Sequence, residues 1–300
     1  MAGNHGNHGN HGNHGNHGNH GNTGASGASG SLFFPDRLDL PFAAAVHAGE
    51  RIAKARLDPS LTFARSWAAT WAAQRILVDF TGTDAWQATL KVGAGALTIP
   101  HWRDLWGKDG IPDGDDAEID ALLRAAEDER ADAAGEILSQ DAEFITDFTA
   151  LLAAGPAQGA TLRLAWAASH VGSLAVMHFK HVFERARPSQ LCPALRPLIA
   201  VPGHAAYPSG HATQAFLIAA ALEAALANTP YAPAAPVLNA MAERIARNRE
   251  IAGVHYPSDT AAGRLLAGQL LPVLERVPSF ADTVKAAKAE WAAPAAPAGA

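Results

Sequence analysis

Between residues 32 and 291, apolar positions recur at helical spacing and strict apolar–polar alternation is scarce. The chain is rich in Ala and Leu, and both features predict an all-α fold. In 115–138, Ile119, Leu122, Leu123 and Ala126 make one apolar stripe, with acids and arginines elsewhere. That is the pattern of a surface helix with one buried face. Comparable runs predict helices over 42–56, 60–80, 141–154, 160–185, 211–227, 234–252, 258–275 and 279–291. Gly155-Pro156, Pro193, Pro202-Gly203, Pro208 and Pro257 punctuate them. The expected organisation is a single helical-bundle domain. Residues 32–155 pack on a core formed by 156–291, and 292–300 (AAPAAPAGA) is a loose tail. Trp67, Trp71, Trp86, Trp102 and Trp106 are assigned to core packing.

Residues 1–31 stand apart. Their Gly-Asn-His triplets hold six of the fourteen histidines: His5, His8, His11, His14, His17 and His20. With no apolar face and no charge, this stretch reads as a disordered metal-affinity tag and linker. The net charge of −6 therefore belongs to the remainder. It argues against nucleic acid as a partner. The single cysteine, Cys192, closes no intrachain disulfide. The best membrane candidate, 160–179, carries Arg163, His170 and His178, which a bilayer penalises. A soluble protein without a transmembrane anchor is expected. The tag stands where a signal peptide would stand, so cytoplasm and periplasm both stay open.

Three short stretches carry chemistry. In KHVFERARP (180–188), Lys180 and Arg187 are two helical turns apart, which would put both cations on one helix face. In PSGH (208–211), Gly210 opens an apolar helix, where backbone N–H groups and the Ser209 hydroxyl can cradle an anion beside His211. A plain N-cap explains the serine but not the histidine. In REIAGVHYPSD (249–259), Arg249 and His255 are joined through Gly253. Asp259, four residues on, can hold one imidazole nitrogen and leave the other free to attack.

Together the three stretches resemble the type 2 phosphatidic acid phosphatase (PAP2) and vanadium haloperoxidase superfamily. The motifs match as Lys180…Arg187-Pro188, Pro208-Ser209-Gly210-His211 and Arg249…His255…Asp259. One position departs, Asn248, where the family carries serine. The C-terminal FADTVKAAKAEW is similar to the end of bacterial non-specific acid phosphatases. The resemblance implies a helical bundle in which Lys180, Arg187 and Arg249 bind the equatorial oxygens of a tetrahedral anion, with Ser209 and the Gly210 amide completing the cradle. It implies that His255 is the nucleophile, that Asp259 holds its ring, and that His211 is the acid and then the base. Three cations and a helix N-terminus already supply the field, so no metal and no cofactor is required.

The same cradle can hold vanadate, so two activities remain open. His204, seven residues before His211, resembles the extra histidine of vanadium bromoperoxidases, and YPSGHATQ is similar to their sequence. HYPSD and the C-terminal stretch are similar to phosphatases instead. The expected function is metal-independent hydrolysis of a small phosphate ester. The alternative is halide oxidation by peroxide with vanadate on His255 and His204 tuning it. A remote third is a phosphate or vanadate binder without turnover. Zinc on His178, His181 and Glu184 lacks a fourth ligand. Segments 83–114 and 189–207 are expected to set specificity. The apolar helical faces are compatible with a homodimer.

Overall fold

A computed structural model describes residues 68–152 and 159–292, and among these it holds helices and no strand. The helices are α1 (Ala69–Thr81), α2 (Asp84–Lys91), α3 (Asp115–Asp128), α4 (Arg130–Ala142), α5 (Ile145–Leu151) and α6 (Gly159–Phe183). After them come α7 (Pro188–Leu191), α8 (Gly210–Leu226), α9 (Ala235–Ile251), α10 (Pro257–Leu274) and α11 (Pro278–Ala292). The site described below belongs to the compact unit Ala72–Ala300. The tag, the helix expected over 42–56, Trp67 and the tail after 292 lie outside the described residues.

Helix α8 is the axis of this unit. Its sequence, GHATQAFLIAAALEAAL, is apolar on every side, and such a helix has to be surrounded. Helices α6, α9, α10 and α11 enclose it. Two glycines set how closely they approach. A Cβ at Gly263 of α10 would lie 2.9 Å from both the Ala212 Cβ and the Ser209 carbonyl oxygen. A Cβ at Gly172 of α6 would lie 3.2 Å from the Gln214 Cγ. Both contacts grip the first turns of α8, where PSGH sits. At the other end of α6, the Glu290 carboxylate of α11 accepts from the amides of Ala160 and Thr161 at 2.8 and 2.9 Å, satisfying donors that helix geometry leaves unmet.

Several expectations need correction. The run 115–138 is two helices, α3 and α4, that break at Glu129. The buried stripe of α3 is Glu118, Leu122 and Ala125, so an acid sits where only apolar residues were expected. Helix α2 was not anticipated; Thr83 caps it by accepting from the Trp86 amide. Trp86 is buried, whereas Trp71 is exposed. Most consequential, α6 ends at Phe183 and Arg187 is not on it. Glu184 turns the chain at φ 47°, and Pro188 holds Arg187 extended at φ −71°, ψ 151°. Lys180 and Arg187 therefore reach one place from a helix and from a strap, not from one helix face.

Candidate oxyanion site

Each motif is placed by an identifiable local device. Ser209 is the N-cap of α8: its Oγ accepts from the Ala212 amide at 3.3 Å, and its own amide donates to the Asp259 carbonyl at 3.0 Å. The capping role weighed for this serine thus holds, and the Gly210 amide follows it as the first in the helix. Gly253 adopts φ +81°, a conformation that favours glycine, and turns the chain from α9 towards His255. Arg130 at the start of α4 ties that corner down by donating to the carbonyls of Ile251, Leu195 and Arg196 at 2.8–3.0 Å.

His255 is buried and held at both ring nitrogens. Nδ1 lies 3.0 Å from Asp259 Oδ2, and Nε2 lies 3.1 Å from Arg187 Nη1. A carboxylate can only accept and a guanidinium can only donate. The proton therefore sits on Nδ1, and Nε2 presents its lone pair. Burial first, then the charges of Arg187, Lys180, His204 and Arg249, hold His255 well below its ordinary pKa. Asp259 is the third residue of α10, and its carboxylate also accepts from the Tyr256 amide at 3.1 Å, the carboxylate half of a capping box.

Three cations converge on this ring, all but withdrawn from water. Lys180 donates to the carbonyls of Ala205 and Ala206, both at 2.7 Å. Arg187 donates from Nε to the His204 carbonyl at 3.0 Å and from Nη1 to the Val254 carbonyl at 2.7 Å. Arg249 is 0 % exposed. Its Nη2 donates to the Ile137 carbonyl at 2.9 Å, while Nε and Nη1 have no hydrogen-bond partner. Asp141 is its closest anion, at 3.6 Å, too far for a hydrogen bond. Burial lowers the pKa of Arg187 and of Arg249 to about 10. Lys180 is lowered by burial and then by Arg187.

His211 and His204 flank the cluster. His211 Nε2 lies 3.3 Å from the Gln140 carbonyl, so that nitrogen carries a proton, and its ring packs on Phe144 at 4.9 Å. His204 is exposed, yet its Nδ1 lies 3.1 Å from Arg187 Nη2. It is more than a solvent-facing loop residue. The Asn248 amide donates to the Gln140 Oε1 at 2.9 Å. A cavity of about 590 Å³ opens beside Lys180, Arg187 and His204, with Met177, His181 and Gln190 on its walls.

Residues outside the three motifs complete the surroundings. Arg185 donates to Asp259 Oδ1 at 2.8 Å and to Glu118 Oε2 at 2.7 Å. Ile137, Gln140 and Asp141 of α4 face Arg249 and His211. Glu118 was detectable in the sequence, because it precedes Leu122 and Ala125 at i, i+4 and i+7. An acid in register with a buried stripe is rarely there without a partner. The carbonyls of Ile137 and Gln140 had no such signal, since every residue has one.

Comparison with known proteins gives the family. Residues 160–279 match the PAP2 superfamily. The chain is also 31 % identical, over 157 residues, to a decaprenylphosphoryl-5-phosphoribose phosphatase of Mycolicibacterium smegmatis. That match covers 51 % of this chain and 82 % of the relative. Both similarities support phosphatase-type activity in general terms. On the family match, and on a relative spanned over most of its length, the chain belongs to the PAP2 superfamily.

Proposed function

We propose that the protein hydrolyses a phosphate monoester through a phosphohistidine on His255. The observation that carries this reading is Arg249. A wholly buried guanidinium with two unmatched nitrogens is costly, since each charged donor left unmet forfeits about 1.5–3 kcal/mol. A tetrahedral dianion between Arg249, Arg187 and Lys180 would meet those donors and neutralise three crowded cations.

The chemistry follows from the protonation states. His255 Nε2 attacks phosphorus as the ester P–O bond breaks. Arg187 releases Nε2 and turns its donors to the phosphoryl oxygens, where the Gly210 amide and the Ser209 hydroxyl also point charge. Asp259 stabilises the positive charge that the ring acquires. His211, protonated on Nε2, gives that proton to the departing alkoxide. It then takes a proton from water, whose oxygen attacks phosphorus and breaks the P–N bond. The phosphoryl group needs positioning and positive charge, and four residues and a helix end supply both, so no metal ion is assigned a role.

His204 supports a second reading. Its contact with Arg187 makes it part of the cradle, and the same donors suit vanadate. Lys180, Arg187 and Arg249 would hold vanadate and His255 would ligate it. The bound group would supply peroxide activation for halide oxidation. One experiment separates the readings. The vanadate-free protein is given 4-nitrophenyl phosphate and quenched in alkali, and the vanadate-loaded protein is given bromide and peroxide. An acid-labile, alkali-stable phosphoenzyme that His255→Ala abolishes, with turnover down at least about 10³-fold, is expected of the phosphatase. Efficient bromination with negligible ester hydrolysis would overturn it.

A further inference from the structure

Glu118 is 0 % exposed and makes four polar contacts. Its Oε1 accepts from the Ser258 amide at 2.8 Å. Its Oε2 accepts from Ser258 Oγ at 3.0 Å, from Trp106 Nε1 at 3.0 Å and from Arg185 Nη2 at 2.7 Å. Arg185 spends its other terminal nitrogen on Asp259 Oδ1 at 2.8 Å and on Ser258 Oγ at 2.7 Å. The guanidinium lies over the Tyr256 ring, 3.7 Å from its centroid. Asp115 adds a weaker contact at 3.2 Å from the half-exposed edge. Among the described residues no hydrogen bond joins the side chains of Glu118, Arg185 or Ser258 to Lys180, Arg187 or Arg249. A chain runs from Glu118 through Arg185 to Asp259 and so to His255 Nδ1.

The charge arrangement gives that chain a purpose. Asp259 must stay anionic and fixed for Nδ1 to keep its proton and Nε2 its lone pair. An Arg185 with Asp259 as its sole strong partner would draw the carboxylate's charge towards itself and away from the imidazole. Glu118 divides the guanidinium's charge between two carboxylates. It also occupies the Ser258 amide, an unmet donor in the first turn of α10 that would otherwise compete for Asp259. We infer that Glu118, a residue of α3 outside the family-matched segment, is a positioning residue that sets the orientation and basicity of the Asp259–His255 pair through Arg185. This rests on the phosphohistidine reading for its catalytic consequence, but not for its structural one.

The test is Glu118→Gln in the full chain, which keeps shape and removes charge. Three readouts are taken: steady-state hydrolysis of 4-nitrophenyl phosphate, inhibition by inorganic phosphate, and the low-field proton resonance of His255 Nδ1–H. The expected result is a kcat loss of roughly 10- to 100-fold, as for other partners that orient a histidine through a carboxylate. KM and the phosphate inhibition constant should stay within about twofold, because the cradle is untouched. The Nδ1–H resonance should move upfield, and Glu118→Asp should recover part of both effects. Unchanged kcat with an unmoved resonance would overturn the inference. So would a kcat loss matched by an equal loss of phosphate affinity with the resonance unmoved, since that is general damage. If Glu118→Gln does not fold, Arg185→Lys carries the same readouts, because it keeps the cation but loses the two-way fork. If the parent hydrolyses nothing, the phosphatase reading fails while the resonance still decides whether Glu118 acts on His255.

Discussion

The core helices α6, α8, α9 and α10 and the flanking helices α3 and α4 contribute to the site in largely opposite ways, with Asp259 on α10 and Arg130 on α4 as exceptions. The core supplies side chains with positive charge or a reactive nitrogen: Lys180, Arg249, His211 and His255, with Arg187 from the adjoining strap. The flanking helices supply negative ends: the carboxylates of Glu118 and Asp141 and the carbonyls of Ile137 and Gln140. The first set could grip an anion. The second holds the first in place, and where it faces Arg249 it stands in an anion's way. The family match covers 160–279 and does not include α3 and α4. The candidate reacting groups lie within that match, while the groups that balance them lie outside it.

The sharpest way to break this division is at Arg249, where both regions meet. Arg249→Lys keeps the charge but loses Nε and one terminal nitrogen. Turnover of 4-nitrophenyl phosphate should fall roughly 100-fold, as expected when two charged hydrogen bonds are lost together. Near-parental turnover would show that no fork is used there. A smaller effect should appear in pH dependence. His255 is depressed in the fold and ordinary in the unfolded chain, so below about pH 6.5 the unfolded chain binds the extra proton first. This contribution to stability is present above that pH and lost as pH falls. The phosphate-free protein should lose roughly 5 °C of Tm between pH 7.5 and 5 beyond what His255→Gln loses. Parallel curves would refute it. The smallest effect is predicted at the flanking side. Asp141→Asn removes a partly exposed competitor of the anion, and phosphate should bind about threefold tighter. Weaker binding would mean that Asp141 serves the cradle instead of opposing it.

The site was legible in the sequence to the extent that chemistry lives in side chains at fixed spacing. Lys180, Arg187, Ser209, His211, Arg249, His255 and Asp259 are brought together by α6, the strap, α8, α9 and the turn into α10. Their spacing was informative even where the reason given for it was wrong. The one-face argument for Lys180 and Arg187 failed because a left-handed Glu184 and the constraint before Pro188 outweigh helical continuation. Asn248 stands where the family carries serine, and its spacing did not say which neighbour it would bond. It donates to Gln140, which bonds Glu136 and Asp147 in turn. A single residue type cannot announce which of two neighbours it will face. The backbone carbonyl acceptors were illegible for a simpler reason, since they leave no mark on composition.

The contact between Glu118 and Ser258 spans 140 residues of chain. During synthesis the carboxylate emerges long before Ser258, whose amide and hydroxyl complete its contacts after those of Trp106 and Arg185. Closing so long a loop is slow, and little rewards it until the partners arrive together. Proteolysis of nascent or refolding chains should therefore find α3 open after α6, α8 and α9 have become protected. The nucleophile would then gain its fixed orientation as one of the last events of folding, and a partly folded chain would carry every catalytic residue while remaining chemically silent.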